Sequence, residues 1–360
     1  MFDTARTILT YAFVLGVLVF FHEFGHYLAA RARGVVVEVF SIGFGPALVS
    51  WRAKSGTVWK ISVLPLGGYV KMQGWGEPND PALAVPGSFA GASLGSKAFI
   101  VAAGPLANLL LAFVLFSGLF MTVGRVVVQP VFSTVEAASP AAAAGMRAGD
   151  RVLMAGGEKI KNFNQLQDVV SQHPDASMDF SLLRQGKVID VRVALGAVTV
   201  DGEKIGHLGV AGSVSSIQHF SPPEAVAVAA AETWHDGAGM LAGLYNLAVH
   251  RQGLGQLAGP LGIAEVTGQV AALGIISVIS FIAFLSINLG LINLVPIPIL
   301  DGGHLLFYLA EAIYGRPLPA RAMDIGLRFG AALLISLFFL TTFNDLSRMG
   351  AVNWVVHLFG

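Results

Sequence analysis

Apolar residues gather in four long blocks along the chain, about Thr7–Ala30, Ala98–Val123, Val270–Leu294 and Leu327–Phe343, with polar and charged residues returning between them. A helix needs about 20 apolar residues to cross a hydrocarbon core, so each block predicts a membrane span, the last being the shortest. Between the first two blocks, β-formers come in bursts, Val35–Phe40 and Thr57–Val63, broken by Gly43-Phe44-Gly45-Pro46 and Lys54-Ser55-Gly56. This pattern over residues 35–72 predicts two or more strands joined by tight turns, forming a membrane-associated hairpin or sheet. A strand at membrane depth needs protein or a wet cavity to shield its backbone, and an exposed edge there is able to pair with an unwound peptide. Gly74–Gly91, rich in Gly and Pro, predicts a loop.

Gln129–Leu195 has the mixed pattern of a small α/β domain. Val131–Val135 predicts a strand, Ser139–Met146 a short capped helix, Arg151–Leu153 a strand and Asn162–Gln172 a helix with Phe163, Leu166 and Val169–Val170 on its apolar face. Phe180–Leu183 and Val188–Val193 predict a hairpin across Arg184-Gln185-Gly186-Lys187. The order Ser-Pro-Ala-x-x-Ala-Gly then Ala-Gly-Asp-Arg-Val resembles a PDZ domain of the bacterial protease type, which implies recognition of an extended peptide or chain end by strand addition. Val198–Val214 is too short for a second such domain, and Glu224–Gly259 predicts one or two helices along the membrane surface.

Composition agrees with a polytopic α-helical membrane protein: mean hydropathy is +0.69 and charged residues are 12% of 360. The balanced charge carries no basic block of the kind that binds nucleic acid. There are no cysteines, which excludes disulfides and thiolate ligands. Arg6 ahead of the first block imitates a signal peptide, but the apolar run is too long and lacks a small-x-small cleavage site, so a retained helix is expected. Arg31, Arg33, Arg52, Lys54, Lys60, Lys71 and Lys97 mark the first long loop, and Arg316, Arg321 and Arg328 the segment before the fourth span. The excess of Lys and Arg predicts both loops in the cytoplasm and Gly124–Gln269 outside.

His22-Glu23-Phe24-Gly25-His26 stands inside the first block. Ionisable residues in a span are costly and mark function, and histidines one helical turn apart suit two ligands of one metal. The carboxylate directly after the first histidine stands where zinc hydrolases keep a general base. Catalytic zinc needs three protein ligands, and the best third candidate is Asp301 in Asn293–Gly303, where Pro296 and Pro298 break a helix at the same predicted depth. Gly104-Pro105-Leu106-Ala107-Asn108 falls at that depth as well. His304 is the competing ligand; Glu311 and Asp324 read as interfacial. His173, His207, His219, His235, His250 and His357 lack helical metal spacing and read as non-ligands.

These motifs in this order, His-Glu-x-x-His, Gly-x-x-x-Asn, a PDZ insertion, Gly259-Pro260-Leu261-Gly262-Ile263 and Asn-x-x-Pro-x-Pro-x-Leu-Asp-Gly, resemble the site-2 proteases, intramembrane zinc metalloproteases, and most closely the bacterial regulator-of-sigma-E type. The resemblance covers nearly the whole chain. It implies one zinc ion bound by His22, His26 and Asp301, with Glu23 activating water. It implies that Asn293 holds substrate or stabilises the oxyanion, with Asn108 and Gly104 supporting that region. The expected layout is residues 1–124 for two spans and the membrane sheet, 125–200 for a periplasmic PDZ domain, 201–269 for a connector, and 270–360 for two more spans. The implied location is the bacterial inner membrane, with the active site toward the cytoplasm. Implied substrates are single-pass membrane proteins, such as anti-sigma factors or signal-peptide remnants, already cut once outside. That type is best known with two tandem PDZ domains; one here leaves substrate filtering open. A metal transporter and an inactive PDZ scaffold are the rival readings.

Overall fold

Two compact units make up the chain, one from Met1–Gly118 and Val226–Gly360, the other from Leu119–Ala225. In this computed structural model, residues 2–75, 84–200, 203–212, 215–250 and 258–349 are described. The first unit begins with α1 (Phe2–Ala32), whose apolar run holds no proline. Gly34, at φ +74°, ends it as the Val35 N–H turns back onto the Ala30 carbonyl. A left-handed residue of this kind costs glycine little.

β1 (Val37–Arg52) and β2 (Val58–Met72) then pair in more than one register: residues 37–42 run antiparallel to 68–72 and 47–52 antiparallel to 58–62, while 39–42 and 58–61 run side by side in the same direction. Phe40 faces both Val70 and Trp59, while Trp59 also faces Trp51. The early part of β1 therefore lies between the two parts of β2, and the hairpin becomes a sheet of four ladder segments. Their order is 68–72, 37–42, 58–62, 47–52. Gly43-Phe44-Gly45-Pro46, expected as a turn between strands, lies inside β1, where positive φ at Gly43 and Gly45 lets it bend without ending. Phe40 is fully buried, stacked on Trp59 with centroids 4.3 Å apart and edge-on to Phe20 and Tyr27 of α1. The far segment is exposed and apolar, with Leu48, Val49 and Trp51 uncovered. Of the expected loop Gly74–Gly91, residues 76–83 lie outside the described residues and the rest is irregular. α2 (Leu94–Thr122) follows.

The second unit holds β3 (Arg125–Val128), β4 (Phe132–Val135), α3 (Pro140–Ala143), β5 (Arg151–Ala155), β6 (Glu158–Lys159), α4 (Phe163–Ser171), β7 (Ser177–Arg184) and β8 (Lys187–Ala194). β9 (Gly196–Val200), β10 (Glu203–His207), β11 (Val210–Gly212) and β12 (Ser215–Gln218) complete it. Its main sheet runs β6-β5-β7-β8, with Arg184 facing Lys187 across the expected hairpin. Ser139 caps α3 by accepting from the Ala142 N–H, and Asn162 caps α4 by accepting from the Gln165 N–H. Both caps satisfy helix-end donors that would otherwise be unpaired. Phe163, Leu166 and Val170 turn into a core with Phe132, Phe180 and Leu182. Asp150, 1% exposed, accepts two hydrogen bonds from Arg184 at 2.7 Å each and one from the Arg147 N–H at 2.8 Å. β11 and β12 return to pair with β4 and β3, so the unit extends beyond Val200.

The chain re-enters the first unit along α5 (Pro222–His250), one helix where one or two were expected, with residues 251–257 outside the described residues. α6 (Pro260–Ala272) and α7 (Ile275–Leu294) replace the expected continuous block Val270–Leu294. The break is at Gly274, whose φ +103° and ψ 177° belong to a region essentially reserved for glycine. The Gly259 and Gly262 N–H groups at the start of α6 both donate to Asp345, 2% exposed, on α9 (Ala320–Arg348). α8 (Asp301–Tyr314), not expected from the apolar pattern, lies between α7 and α9. α9 is longer than its apolar block, and Asp324 and Arg328 pair at 2.9 Å across one of its turns. Thr4–Ala32, Leu94–Thr122, Ile275–Leu294 and Ala320–Arg348 are long and apolar enough to cross a membrane.

Candidate metal centre

α1 carries His22 and His26 one turn apart, on the same side of the helix. Their rings stand nearly perpendicular, with the two Nε2 atoms 3.2 Å apart. Asp301, the first residue of α8, brings Oδ2 to 3.1 Å from His22 Nε2 and 3.5 Å from His26 Nε2. The chain reaches that point because Pro296 and Pro298 cannot continue α7, as their pattern predicted; helix resumes only at Asp301. One ligand atom from each of the three residues lies within 4.8 Å of the others. Among the described residues, no other His, Cys, Asp and Glu side chains form such a group.

α2 orients both rings. His26 Nδ1 lies 2.9 Å from the Ile100 carbonyl, so it carries the proton and leaves Nε2 bare toward Asp301. His22 Nδ1 lies 3.3 Å from the Asn108 amide, whose Oδ1 is buried without a partner. Turning that amide by half a rotation puts Oδ1 on the His22 Nδ1–H and leaves no orphan acceptor. Both imidazoles then present Nε2, the arrangement two histidine ligands of one cation require. Ser286 of α7 donates to the Asn108 carbonyl at 2.8 Å, tying a third helix to this support.

Close approach of α1 and α2 depends on glycine at two positions. A Cβ on Gly104 would land on the His26 imidazole. A Cβ on Gly25 would meet the Ala103 carbonyl and Ala107 Cβ. Glu23 turns toward β2, where its side chain lies against Gly68. A Cβ on Gly68 would lie 2.8 Å from Val19 Cγ1 and 3.3 Å from Glu23 Cγ. The sheet edge at 68–72 is thus the one that runs against the site.

Asn293 sits half-buried in the last turn of α7 and takes no part in the hydrogen bonds joining the histidines, Asn108 and Asp301. His304 is outside the three-ligand group; its ring packs on Trp75 and Phe307 at centroid distances of 5.7 and 6.3 Å. Sequence reading missed Ile100 and Ser286. The first acts through its backbone carbonyl, which no side-chain pattern announces, and Ser286 is one polar residue in an apolar helix.

Two imidazoles and a carboxylate, largely buried and already converging, are a donor set that zinc accepts in catalytic sites. The profile of Peptidase family M50 matches residues 10–337. A Rhizobium meliloti protein named a "putative zinc metalloprotease" is 39% identical over 372 residues, covering 97% of both chains. One of the same description from Agrobacterium fabrum is 40% identical, covering 95% of this chain and 96% of that one. Metalloprotease MmpA of Caulobacter vibrioides is 33% identical, covering 96% and 97%. Among solved structures, the PDZ domain of an SdrC-like protein from Listeria monocytogenes covers 23% of this chain and 84% of its own, at 18% identity and a TM-score of 0.21. The chain belongs to peptidase family M50, the site-2 proteases, and is a zinc metalloprotease.

Proposed function

We propose that this zinc metalloprotease cuts peptide bonds within transmembrane segments, with His22, His26 and Asp301 holding zinc and Glu23 as general base. One observation carries the reading: ligand atoms from α1 and α8 meet within 4.8 Å beside Glu23, on a helix apolar enough to cross a membrane. Ionisable groups in such a helix are retained for function. Zinc, when bound, supplies Lewis acidity that favours hydroxide formation and polarises the scissile carbonyl. Glu23 takes the proton from the attacking water and delivers it to the leaving amine as the C–N bond breaks. Gly68 of the sheet edge packs against the Glu23 side chain and helps to place its carboxylate beside this space. Asn108, Gly104 and Ile100 support the histidines, which leaves Asn293 for the substrate or its oxyanion.

A substrate helix hides its carbonyls in hydrogen bonds, so it must unwind before attack. The sheet edge at 68–72 offers backbone groups beside Glu23 to hold the unwound segment as an added strand. The exposed apolar face at Leu48, Val49 and Trp51 favours immersion of that sheet in the inner leaflet. The excess of Lys and Arg in the two basic loops favours a bacterial inner-membrane orientation with Leu119–Ala225 outside. There the smaller unit would act as a PDZ-type domain, binding a chain end or excluding substrates with large ectodomains. Glu23→Gln should keep zinc binding and abolish cleavage of a reporter transmembrane segment. Cleavage at the wild-type rate would remove Glu23 from the mechanism.

A further inference from the structure

The stretch between α7 and α8, Val295–Leu300, carries a backbone feature that its own sequence disfavours. Ile299, two residues before Asp301, has φ +89°. A β-branched residue rarely adopts positive φ, because its Cβ crowds the backbone. Burial of its own side chain does not compensate, since Ile299 is 46% exposed. Hydrogen bonding here is short-range: the Ile297 N–H donates to Val295 and the Leu300 N–H to Ile297, while Pro296 and Pro298 have no N–H. Something outside the stretch must hold it.

Two surfaces do so. Gly302 and Gly303 bring α8 against the preceding carbonyls, since a Cβ on Gly302 would meet Leu294 and Val295 oxygens and one on Gly303 the Ile297 oxygen. The second surface comes from α9. A Cβ on the buried Gly330 would collide with the Pro298 carbonyl, and one on Gly326 would lie 2.9 Å from Phe307 Cζ and 3.8 Å from Pro298 Cβ. One turn apart on the same side of α9, the two glycines form a shallow seat into which Pro298 fits.

We propose that Gly330, with Gly326, is a positioning residue for Asp301: by seating Pro298 it holds Ile299 in its left-handed conformation and so aims the Asp301 carboxylate at His22 and His26. This rests on the reading of Asp301 as a zinc ligand. Without the seat, Ile299 relaxes to negative φ and the start of α8 turns away from the histidines. α9 contributes no ligand, yet its packing sets the geometry of the third one.

The test measures zinc affinity of the full-length protein in detergent by competition with a chromophoric chelator, with thermal unfolding as a control for folding. Gly330→Ala should weaken zinc binding about tenfold or more, the scale of one strained residue released. Adding Ile299→Gly should restore most of it, because glycine adopts positive φ without the seat. Adding Ile299→Val should not. If Gly330→Ala does not fold, Gly326→Ala replaces it; its new methyl meets the end of the Phe307 ring, which can move, and the loss should be smaller with the same rescue. Wild-type affinity in the folded glycine variant, or a loss that Ile299→Gly leaves uncorrected, overturns the proposal. Asp301→Ala separates the two readings: undiminished zinc affinity there defeats the ligand assignment itself.

Discussion

Asn108→Leu isolates the contribution of one hydrogen bond to zinc affinity. The substitution nearly keeps side-chain size at a fully buried position and removes the amide facing His22 Nδ1 at 3.3 Å. His22 is 12% exposed, so water is poorly placed to substitute. To offer Nε2 to a cation, His22 must keep its proton on Nδ1, and that N–H would then be buried without an acceptor. Such a group costs about 1–3 kcal/mol. The metal-free protein escapes the cost by moving the proton to Nε2, so the whole penalty falls on the zinc-bound state. At 1.4 kcal/mol per tenfold, the expected weakening is about 5- to 150-fold, in line with the 10- to 100-fold typical of groups that orient ligands. Chelator competition measures it, and thermal unfolding checks that the fold survives. Asn108→Asp keeps an acceptor and should bind zinc far more tightly than Asn108→Leu. Equal affinity in Asn108→Leu and wild type would refute the reasoning, as would an equal loss in both variants.

Gly104→Ala should lower kcat/KM by about a hundredfold, because the new methyl must displace the His26 ring by an ångström or more; reporter cleavage by folded protein measures it, and near-normal turnover would show that α2 can retreat. In the smaller unit, burial alone would raise the Asp150 carboxyl, but hydrogen bonds from Arg184 and the Arg147 N–H hold it below its ordinary value of 3.8. Folding thus depresses this group, whose stabilisation is present above the unfolded value and lost as pH falls through the lower folded value. Asp150→Asn should therefore destabilise the unit at neutral pH, and its difference from wild type should shrink below about pH 4. Hydrogen exchange of β5 and β7 across that range reads the difference, and a gap that widens in acid would contradict the assignment.

Much of the site was legible because its signals are local. Spacing of one turn put His22 and His26 together, and Pro296 and Pro298 announced the break that delivers Asp301. Asp301 itself was legible only as a carboxylate at a matching depth; its approach to 3.1 Å from His22 depends on how α8 packs. Local signals misled where a single glycine outweighed an apolar run, as at Gly274, and where one strand served two ladders, as β1 does. Asn108 and Gly104 were visible as polar and small residues in α2, but their contact with the histidines was not.

By itself the sequence determined four apolar helices, the break at Pro296 and Pro298, the capped helix at Ser139 and which side chains are candidates to hold a metal. These follow from periodicity, backbone sterics and hydrogen-bonding needs over a few neighbouring residues. Tertiary structure alone decided that the Ile100 carbonyl faces His26 across 74 residues, that Asn108 faces His22 across 86, and that α9 seats Pro298. Those choices come from helices packing as close as their glycines allow, and the distant backbone atoms that meet there carry no mark in the local pattern.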